Sequence, residues 1–93
     1  MIRSFKDKKT EAVADGKAPK GFPPDLVRSS QRKLFMIEHA VELDDLKMPP
    51  GNRLHALGKD LEGQHAIRIN DQFRVCFRWV DGQAEDVEIT DYH

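Results

Sequence analysis

The residues best suited to chemistry lie near the carboxyl end of the sequence. Asp91, Tyr92 and His93 place a carboxylate, a phenol and an imidazole in succession at the end of a strand-like segment. All three groups can accept, donate or orient a proton. Basic and proton-handling side chains from neighbouring segments are expected at the same end of a sheet, namely His55, Lys59, Arg74 and Arg78. Acid, base and phosphate-binding groups would then meet, which favours chemistry on a phosphodiester.

Length and composition are typical of one small domain that spans residues 1–93. Hydrophobic residues make up 39% of the chain, and a chain of this size buries roughly 60 to 70% of its unfolded surface. The single cysteine, Cys76, excludes an internal disulfide, and no cysteine–histidine spacing is typical of a metal site. No signal-peptide pattern and no apolar run of ~20 residues is present. We therefore expect a soluble, cytoplasmic protein with no cofactor, no metal and no membrane contact.

Charge is segregated along a chain whose net charge is only -1. Residues 1–33 carry nine Lys or Arg against four acids, whereas residues 81–93 carry five acids and no Lys or Arg. A basic amino-terminal third can follow phosphates, although a solvated helix face is an equally ordinary explanation. A near-neutral chain gains little from counterion release. A nucleic-acid partner would therefore have to be held by shape or by a second macromolecule.

Two helices followed by a series of strands are expected to position these groups. Apolar residues at helical spacing and the flanking Gly and Pro residues predict helices over 6–15 and 25 to about 41, with a helical turn over 43–48. An alternating pattern predicts strands over 1–5, 53–57, 65–69, 73–79 and 84–92. The predicted fold class is α+β, with the amino-terminal strand and the helices on one face of a mainly antiparallel, twisted sheet of four to five strands.

The faces of the last two strands restrict how they pair. In residues 73–79, aromatic and aliphatic side chains alternate with two arginines and a cysteine. A two-residue turn at Asp81-Gly82 would oppose the apolar residues of one strand to carboxylates of the other, because directly opposed residues share a face. We therefore predict a three-residue loop over 80–82. The resulting pairs are Val75 with Val87 and Phe73 with Ile89.

The predicted pairing of the last two strands makes one face of the sheet polar and electropositive. It places Arg74, Arg78 and Tyr92 together there, and it places Asp91 and His93 on the other face unless a bulge intervenes. Arginine presents a planar fork of donors to phosphate oxygens, and tyrosine can stack on a base or move a proton. The alternative is that the arginines only form cross-strand ion pairs, Arg74 with Glu88 and Arg78 with Asp86.

Several strings carry a family resemblance when they are taken together and in order. They are RLHALGKDLEG at 53–63, FRVCFRW at 73–79, DG at 81–82 and VEITDYH at 87–93, and the opening MIRSFK also fits. In this order and spacing they resemble the HigB toxins of the RelE-like superfamily of toxin–antitoxin systems. The resemblance runs over essentially the whole chain, and it implies the RelE-like form of the α+β fold.

The resemblance implies a metal-independent endoribonuclease that cleaves mRNA in the ribosomal A site and so halts translation. In that family the ribose 2′-hydroxyl attacks the adjacent phosphate, leaving a 2′,3′-cyclic phosphate and a 5′-hydroxyl. The reaction needs a base, donors for the phosphorane charge and an acid. The family's catalytic residues carry over to His55, Arg74, Asp91, Tyr92 and His93.

Each carried-over residue has an expected role. His55 and His93 are the candidates for proton transfer, and Asp91 orients or shares the base. Arg74 contacts the phosphate, and Tyr92 stacks on or orients a base. Which group is the acid and which is the base stays open. Substrate binding is assigned to Arg53, Lys59 and Arg78. Relatives commonly have a lysine at the position of Gly58, and Lys59, one residue later, is expected to reach the phosphate instead.

Partners follow from the same resemblance. It implies a HigA-like antitoxin with a helix-turn-helix domain, a ribosome that presents mRNA in the A site, and operator DNA that is reached only through the antitoxin. Two alternatives stay open: an endoribonuclease that acts on free RNA, and a non-catalytic partner or co-repressor of the antitoxin. The near-neutral charge disfavours the first. Loss of one donor typically slows a reaction ~10²- to 10³-fold without abolishing it, which disfavours the second.

Overall fold

Helices come first in the chain and strands follow. The computed structural model describes residues 1–58 and 63–91. Its helical elements are α1 (Lys8–Ala14), α2 (Pro24–His39) and two short 3-10 helices, η1 (Leu43–Lys47) and η2 (Pro50–Asn52). Its strands are β1 (His55–Ala56), β2 (Gln64–Arg68), β3 (Phe73–Val80) and β4 (Gln83–Asp91). Among the described helices, none combines the length and apolar character needed to cross a membrane.

Local sequence signals explain where both α-helices begin. At α1 the Asp7 carboxylate caps the helix by accepting a hydrogen bond from the Thr10 amide at 2.7 Å. Helix α2 begins at Pro24, where the missing N–H is tolerated. Its buried stripe includes Leu26, Leu34 and Ile37. Both predicted helices are confirmed, although α1 is shorter than predicted at both ends and α2 begins one residue earlier and ends about two residues earlier than predicted.

The four strands form one antiparallel sheet in the order β1-β2-β3-β4. The face that receives the helices carries Ile67, Val75, Phe77 and Val87, each of which is 0% exposed. These side chains pack with Leu34 and other residues of the helical layer into one core. The predicted α+β fold, with helices on one face of an antiparallel sheet, is confirmed.

The predicted loop between the last two strands is wrong. Val80 pairs with Gln83, so the turn has two residues, and both adopt left-handed φ values, 51° at Asp81 and 79° at Gly82. Such turns match the right-handed twist of a hairpin. The predicted pairs Val75–Val87 and Phe73–Ile89 are therefore also wrong.

A bulge in β4 brings apolar residues of β3 and β4 onto the same face of the sheet, which is the effect expected of the predicted three-residue loop. Cys76 pairs with Glu88, but Arg78 pairs with Glu85, so β4 holds one extra residue between these two pairs. Asp86 lies there with a φ of 53°. Beyond the bulge Val75 opposes Ile89, and apolar residues of both strands again share the helix face.

The amino-terminal segment runs parallel to β4 along the outer edge of the sheet. Ile2 bridges to Ala84, and Phe5 bridges to Val87. The Arg3 amide donates to the Ala84 carbonyl at 2.7 Å, and the Val87 amide donates to the Ser4 carbonyl at 3.1 Å. The predicted strand over 1–5 is thus an extended edge segment joined by two isolated bridges instead of a continuous strand.

Candidate active site

Three arginines and a histidine line one cleft beside β1, β2 and β3. Among the described residues this cleft, of about 250 Å³, is lined by Arg53, His55, Arg68 and Arg74. The sheet register explains the grouping. His55 opposes Ala66, and Arg68 opposes Arg74, so these side chains lie on the face away from the helices. Arg53, the residue that directly follows η2, contributes its side chain to the same cleft.

Backbone geometry orients the ring of His55. The segment predicted as a strand over 53–57 is a strand only at His55–Ala56, because Arg53 adopts a left-handed conformation with φ 48° and ψ 48°. The carbonyl oxygen of Arg53 lies 2.8 Å from Nδ1 of His55. A carbonyl can only accept, so Nδ1 donates the proton. In the neutral ring, Nε2 is therefore the free proton acceptor.

Arg68 and Arg74 form a pair of opposed cations. Directly opposed like charges on neighbouring strands destabilise a sheet. Arg68 is ion-paired with Asp71, which is almost fully exposed and lies three residues along the chain. Two guanidinium groups facing each other suit an anion with several oxygen atoms, such as the phosphate of a phosphodiester.

Positive charge extends behind the cleft into α2. Lys33 is only 8% exposed, and its ammonium donates to Oδ1 of Asn52. Burial lowers the pKa of Lys33, and the nearby charges of Arg32 and Arg68 lower it further. No ion pair between Lys33 and a carboxylate is present in the described ranges. The region around the cleft is therefore electropositive.

Three of the sequence-predicted site residues come together in the cleft, and two do not. Arg53, His55 and Arg74 line it. Arg78 is exposed and opposes Gln64 and Glu85, away from that lining.

Asp91 also lies apart from the cleft. It opposes Phe73 and accepts a hydrogen bond from Nε2 of Gln72 at 2.9 Å. Because Arg74 follows Phe73 and opposes Thr90, the positions of Asp91 and Arg74 are on different faces of the sheet. The prediction that Asp91 and Arg74 lie on opposite faces of the sheet is confirmed. The remaining predicted site residues, Lys59, Tyr92 and His93, lie outside the described residues.

Two carboxylates of β4, Glu88 and Glu85, form ion pairs with the amino-terminal segment. Glu88 contacts the Lys6 ammonium at 3.9 Å, and Glu85 contacts the Arg3 guanidinium at 3.4 Å. The alternative in which Arg78 pairs with Asp86 is wrong, because the bulge places Glu85 opposite Arg78.

Arg68 is the cleft residue that sequence reasoning missed. A usable signal was present, because Arg68 alternates with Ile67 and Ile69, both of which are buried on the helix side. Alternation alone places Arg68 on the polar face. Its position opposite Arg74 needs the register, which the structure supplies.

Comparison with known proteins shows the family. The model of the HigB-like toxin family, described as RelE-like toxin of type II toxin-antitoxin system HigB, matches residues 3–93. Toxin HigB-1 of Vibrio cholerae serotype O1 is 40% identical over 85 residues, which are 90% of either chain. Endoribonuclease HigB of Proteus vulgaris is 30% identical over 93 residues, the whole of both chains.

Solved structures share the fold at low sequence identity. A crystal structure of a YafQ mutant from E. coli matches with a TM-score of 0.64 and 8% identity, covering 99% of this chain and 94% of that chain. The YoeB–YefM complex from Staphylococcus aureus matches with a TM-score of 0.63 and 15% identity, covering 100% and 98%. Together with the family match over residues 3–93, this shows that the chain belongs to the HigB-like family of RelE-like toxins of type II toxin–antitoxin systems.

Proposed function

We propose that this toxin is an endoribonuclease that cleaves mRNA in the A site of the translating ribosome. The observation that carries the proposal is the cleft in which Arg53, His55, Arg68 and Arg74 meet. A histidine with a free acceptor nitrogen beside three permanent cations suits attack on a phosphodiester. The name of the Proteus vulgaris relative, Endoribonuclease HigB, supports the same reaction.

The proposed reaction needs no group beyond the protein and the RNA. Nε2 of His55 takes the proton of the ribose 2′-hydroxyl, whose oxygen forms a bond to the adjacent phosphorus. Arg68 and Arg74 donate to the phosphate oxygens as negative charge develops on them. The bond from phosphorus to the 5′-oxygen breaks, and that oxygen takes a proton from an acid. The products are a 2′,3′-cyclic phosphate and a 5′-hydroxyl.

The other predicted site residues have proposed roles that rest on the family resemblance. We assign catalytic roles to three residues: Asp91 orients or shares the base, Tyr92 stacks on or orients an RNA base, and His93 transfers a proton. We assign further RNA contacts to Arg53, Lys59 and Arg78. The position of Asp91 on the face of Phe73 makes it the weakest member of the first group. A role for Asp91 through Gln72, with which it is hydrogen-bonded, fits that position better than direct contact with the phosphate.

We propose dependence on the ribosome because the protein attracts free RNA only weakly at long range. Two residues of the basic amino-terminal third, Arg3 and Lys6, are engaged by Glu85 and Glu88. The net charge is -1, so long-range attraction to RNA is weak. The ribosome removes this difficulty, because it holds the mRNA in place while the cleft contacts one phosphate.

The partner of a toxin in a type II system is an antitoxin. For this chain we propose a HigA-like antitoxin with a helix-turn-helix domain, through which alone the toxin reaches operator DNA. We also propose that the toxin acts in the cytoplasm, where translating ribosomes are found.

The proposal is tested by mapping transcript 5′ ends after induced expression. Wild type is compared with His55→Ala, Arg74→Ala and a form that lacks Tyr92-His93. Arg28→Ala, which changes an exposed arginine of α2, is the control. We expect new ends inside translated codons. We also expect cleavage to fall ~10²- to 10³-fold in the site variants, as for loss of one catalytic or charge-stabilising group, and to persist in the control.

Each alternative has its own outcome. Cuts in untranslated RNA at the same frequency would replace the proposal with an endoribonuclease of free RNA. Normal growth and no new ends with folded wild-type protein would leave a non-catalytic partner of the antitoxin.

A further inference from the structure

The side chain of Asn52 is completely buried immediately before the cleft residue Arg53. Its exposed fraction is 0%, and both ends of its amide are used. Oδ1 accepts from the ammonium of Lys33, while Nδ2 donates to the carbonyls of Leu46 at 3.1 Å and Met48 at 3.3 Å. Asn52 therefore fastens the end of η2 to α2 and to the segment around η1.

The turn that Asn52 anchors determines where the carbonyl of Arg53 points. The backbone N–H of Asn52 donates to the Pro49 carbonyl at 2.9 Å, and the backbone N–H of Arg53 donates to the Pro50 carbonyl at 3.1 Å. Arg53 then adopts φ 48°. The left-handed conformation is unfavourable for a residue with a β-carbon, so its surroundings must hold Arg53 there.

The far side of the same turn is held by the sheet. His55 pairs with Ala66 of β2, and its Nδ1 lies 2.8 Å from the Arg53 carbonyl. Two fixed points, the buried amide of Asn52 and the β1–β2 pairing, thus enclose a single left-handed residue. The carbonyl of that residue decides which nitrogen of His55 carries the proton.

We infer that Asn52, held by Lys33, is a positioning residue that fixes the tautomer of His55 with the proton on Nδ1 and the acceptor at Nε2. The inference deepens the proposed function, because it rests on the role of His55 in proton transfer. Neither Asn52 nor Lys33 lines the cleft among the described residues. Both act through the backbone of Arg53.

The environment of Lys33 supports a specific role over simple packing. Its buried ammonium is desolvated and repelled by Arg32 and Arg68, which opposes folding. An apolar side chain of similar length would fill the same space without that penalty. The hydrogen bond that the described structure gives Lys33 is the one that orients Asn52.

The test observes the ring of His55 directly. Two-bond ¹H–¹⁵N correlation spectra of purified protein with ¹⁵N-labelled histidine distinguish Nδ1–H from Nε2–H, and His55→Gln assigns the signal. Wild type is compared with Asn52→Ala and Lys33→Met. Thr10→Val is a matched control, because it removes a hydrogen bond of another buried polar side chain, from the Ile89 amide to Thr10 Oγ1 at 3.0 Å, far from His55.

We expect wild type and Thr10→Val to show Nδ1–H at His55. Asn52→Ala is expected to give a mixture of tautomers, with a smaller shift in Lys33→Met because the bonds to Leu46 and Met48 persist. Single-turnover cleavage of mRNA on ribosomes should fall by about tenfold in Asn52→Ala, part of the 10²–10⁴ that general acid–base catalysis typically contributes.

The outcomes separate this inference from the proposed function. Wild-type His55 with its proton on Nε2 overturns the inference without any variant, so it stays testable even if Asn52→Ala does not fold. An unchanged tautomer in folded Asn52→Ala and Lys33→Met also overturns it. A shifted tautomer with undiminished cleavage supports the inference and removes His55 from the proposed reaction.

Discussion

Arg68 and Arg74 lie directly opposite each other on neighbouring strands, and the repulsion between their guanidinium groups destabilises the sheet unless an anion offsets it. Arg68 is ion-paired with Asp71, whose side chain is 96% exposed. A salt bridge to so exposed a partner contributes little to stability. An RNA phosphate can therefore displace Asp71 from Arg68 with little loss of stability.

Arg68 is expected to be needed for cleavage and nearly dispensable for folding. Arg68→Ala should lower single-turnover cleavage about 10²-fold, as for loss of one charge-stabilising group. Arg68→Lys should recover only part of the rate, because an ammonium lacks the planar fork. Asp71→Ala removes the competing carboxylate and should not lower the rate. If Arg68→Ala cleaves like wild type, Arg68 does not contact the phosphate.

Because of Lys33, the free energy of unfolding is expected to change with pH in the alkaline range. Its pKa in the folded protein is lowered from the ordinary value of 10.5 by burial, Arg32 and Arg68. Between that lowered pKa and 10.5 the unfolded chain binds the extra proton, so raising the pH favours the folded state. Below this window the ammonium is charged in both states, and its burial destabilises the fold.

Urea unfolding of wild type and Lys33→Met at pH 7 and pH 10 checks this effect. The stability of wild type relative to Lys33→Met should increase at the higher pH. The difference between wild type and Thr10→Val should not change, since threonine does not titrate. A relative stability of Lys33→Met that is the same at both pH values would contradict a lowered pKa.

At the level of single residues, the sequence predicted part of the site. The sequence predicts His55, Arg53 and Arg74 as site residues, and they line one cleft. Arg68 was missed because its relation to Arg74 depends on strand register. The anchoring by Asn52 was missed because one buried amide leaves no pattern in a sequence. The predictions for Lys59, Tyr92 and His93 stay predictions.

At the level of elements, the hairpin of β3 and β4 shows how two irregular backbone features act together. The tight turn at Asp81-Gly82 alone would set carboxylates against apolar residues. The bulge at Asp86 shifts the register by one residue, after which Val75 opposes Ile89. One extra residue is needed to keep apolar residues of both strands on one face, and it lies within β4 instead of the loop.

Asp86 should tolerate only residues that accept a positive φ. Its φ of 53° lies in the left-handed region, which valine strongly disfavours. Asp86→Val should destabilise the protein by about 1–2 kcal/mol, while Asp86→Gly should stay within about 0.5 kcal/mol of wild type. Gln83→Val, at a regular strand position, is the control for urea unfolding. Equal stability of the valine and glycine variants at position 86 would contradict the bulge.

The periodic parts of the fold were predictable and the irregular parts were not. Helical spacing from Leu26 to Ile37 and alternation from Phe73 to Trp79 are each repeated several times, so α2 and β3 were identified. The bulge depends on one aspartate, a residue type that accepts both left-handed and extended conformations. The left-handed Arg53 shortened β1 for a similar reason, because arginine carries no local signal for that conformation.

At the level of the whole molecule, the two oppositely charged ends of the sequence lie side by side. Arg3 and Lys6 contact Glu85 and Glu88, and Ile2 and Phe5 pack against the core. The segregated charges are thereby partly neutralised within the fold. Apolar packing contributes more to this docking than the ion pairs, because the Arg3 and Lys6 side chains are about 60% exposed.

Phe5→Ala should destabilise the protein by about 2 kcal/mol, since a half-buried ring is lost from the core. Arg3→Ala should change stability by no more than about 0.5 kcal/mol, because an exposed ion pair is worth little. Urea unfolding of both variants at low and high salt measures the difference. A larger loss for Arg3→Ala than for Phe5→Ala would show that charge, and not apolar packing, holds the segment.

The pairing of Ile2 with Ala84 also sets an order of events during synthesis. Ile2 and Phe5 leave the ribosome long before Ala84 and Val87, which are their partners in the sheet. Contacts so distant in sequence form late in folding. The nascent chain therefore cannot complete its sheet while β4 is still inside the ribosome, so residues 2–5 have no partner strand while the residues between them and β4 are being made.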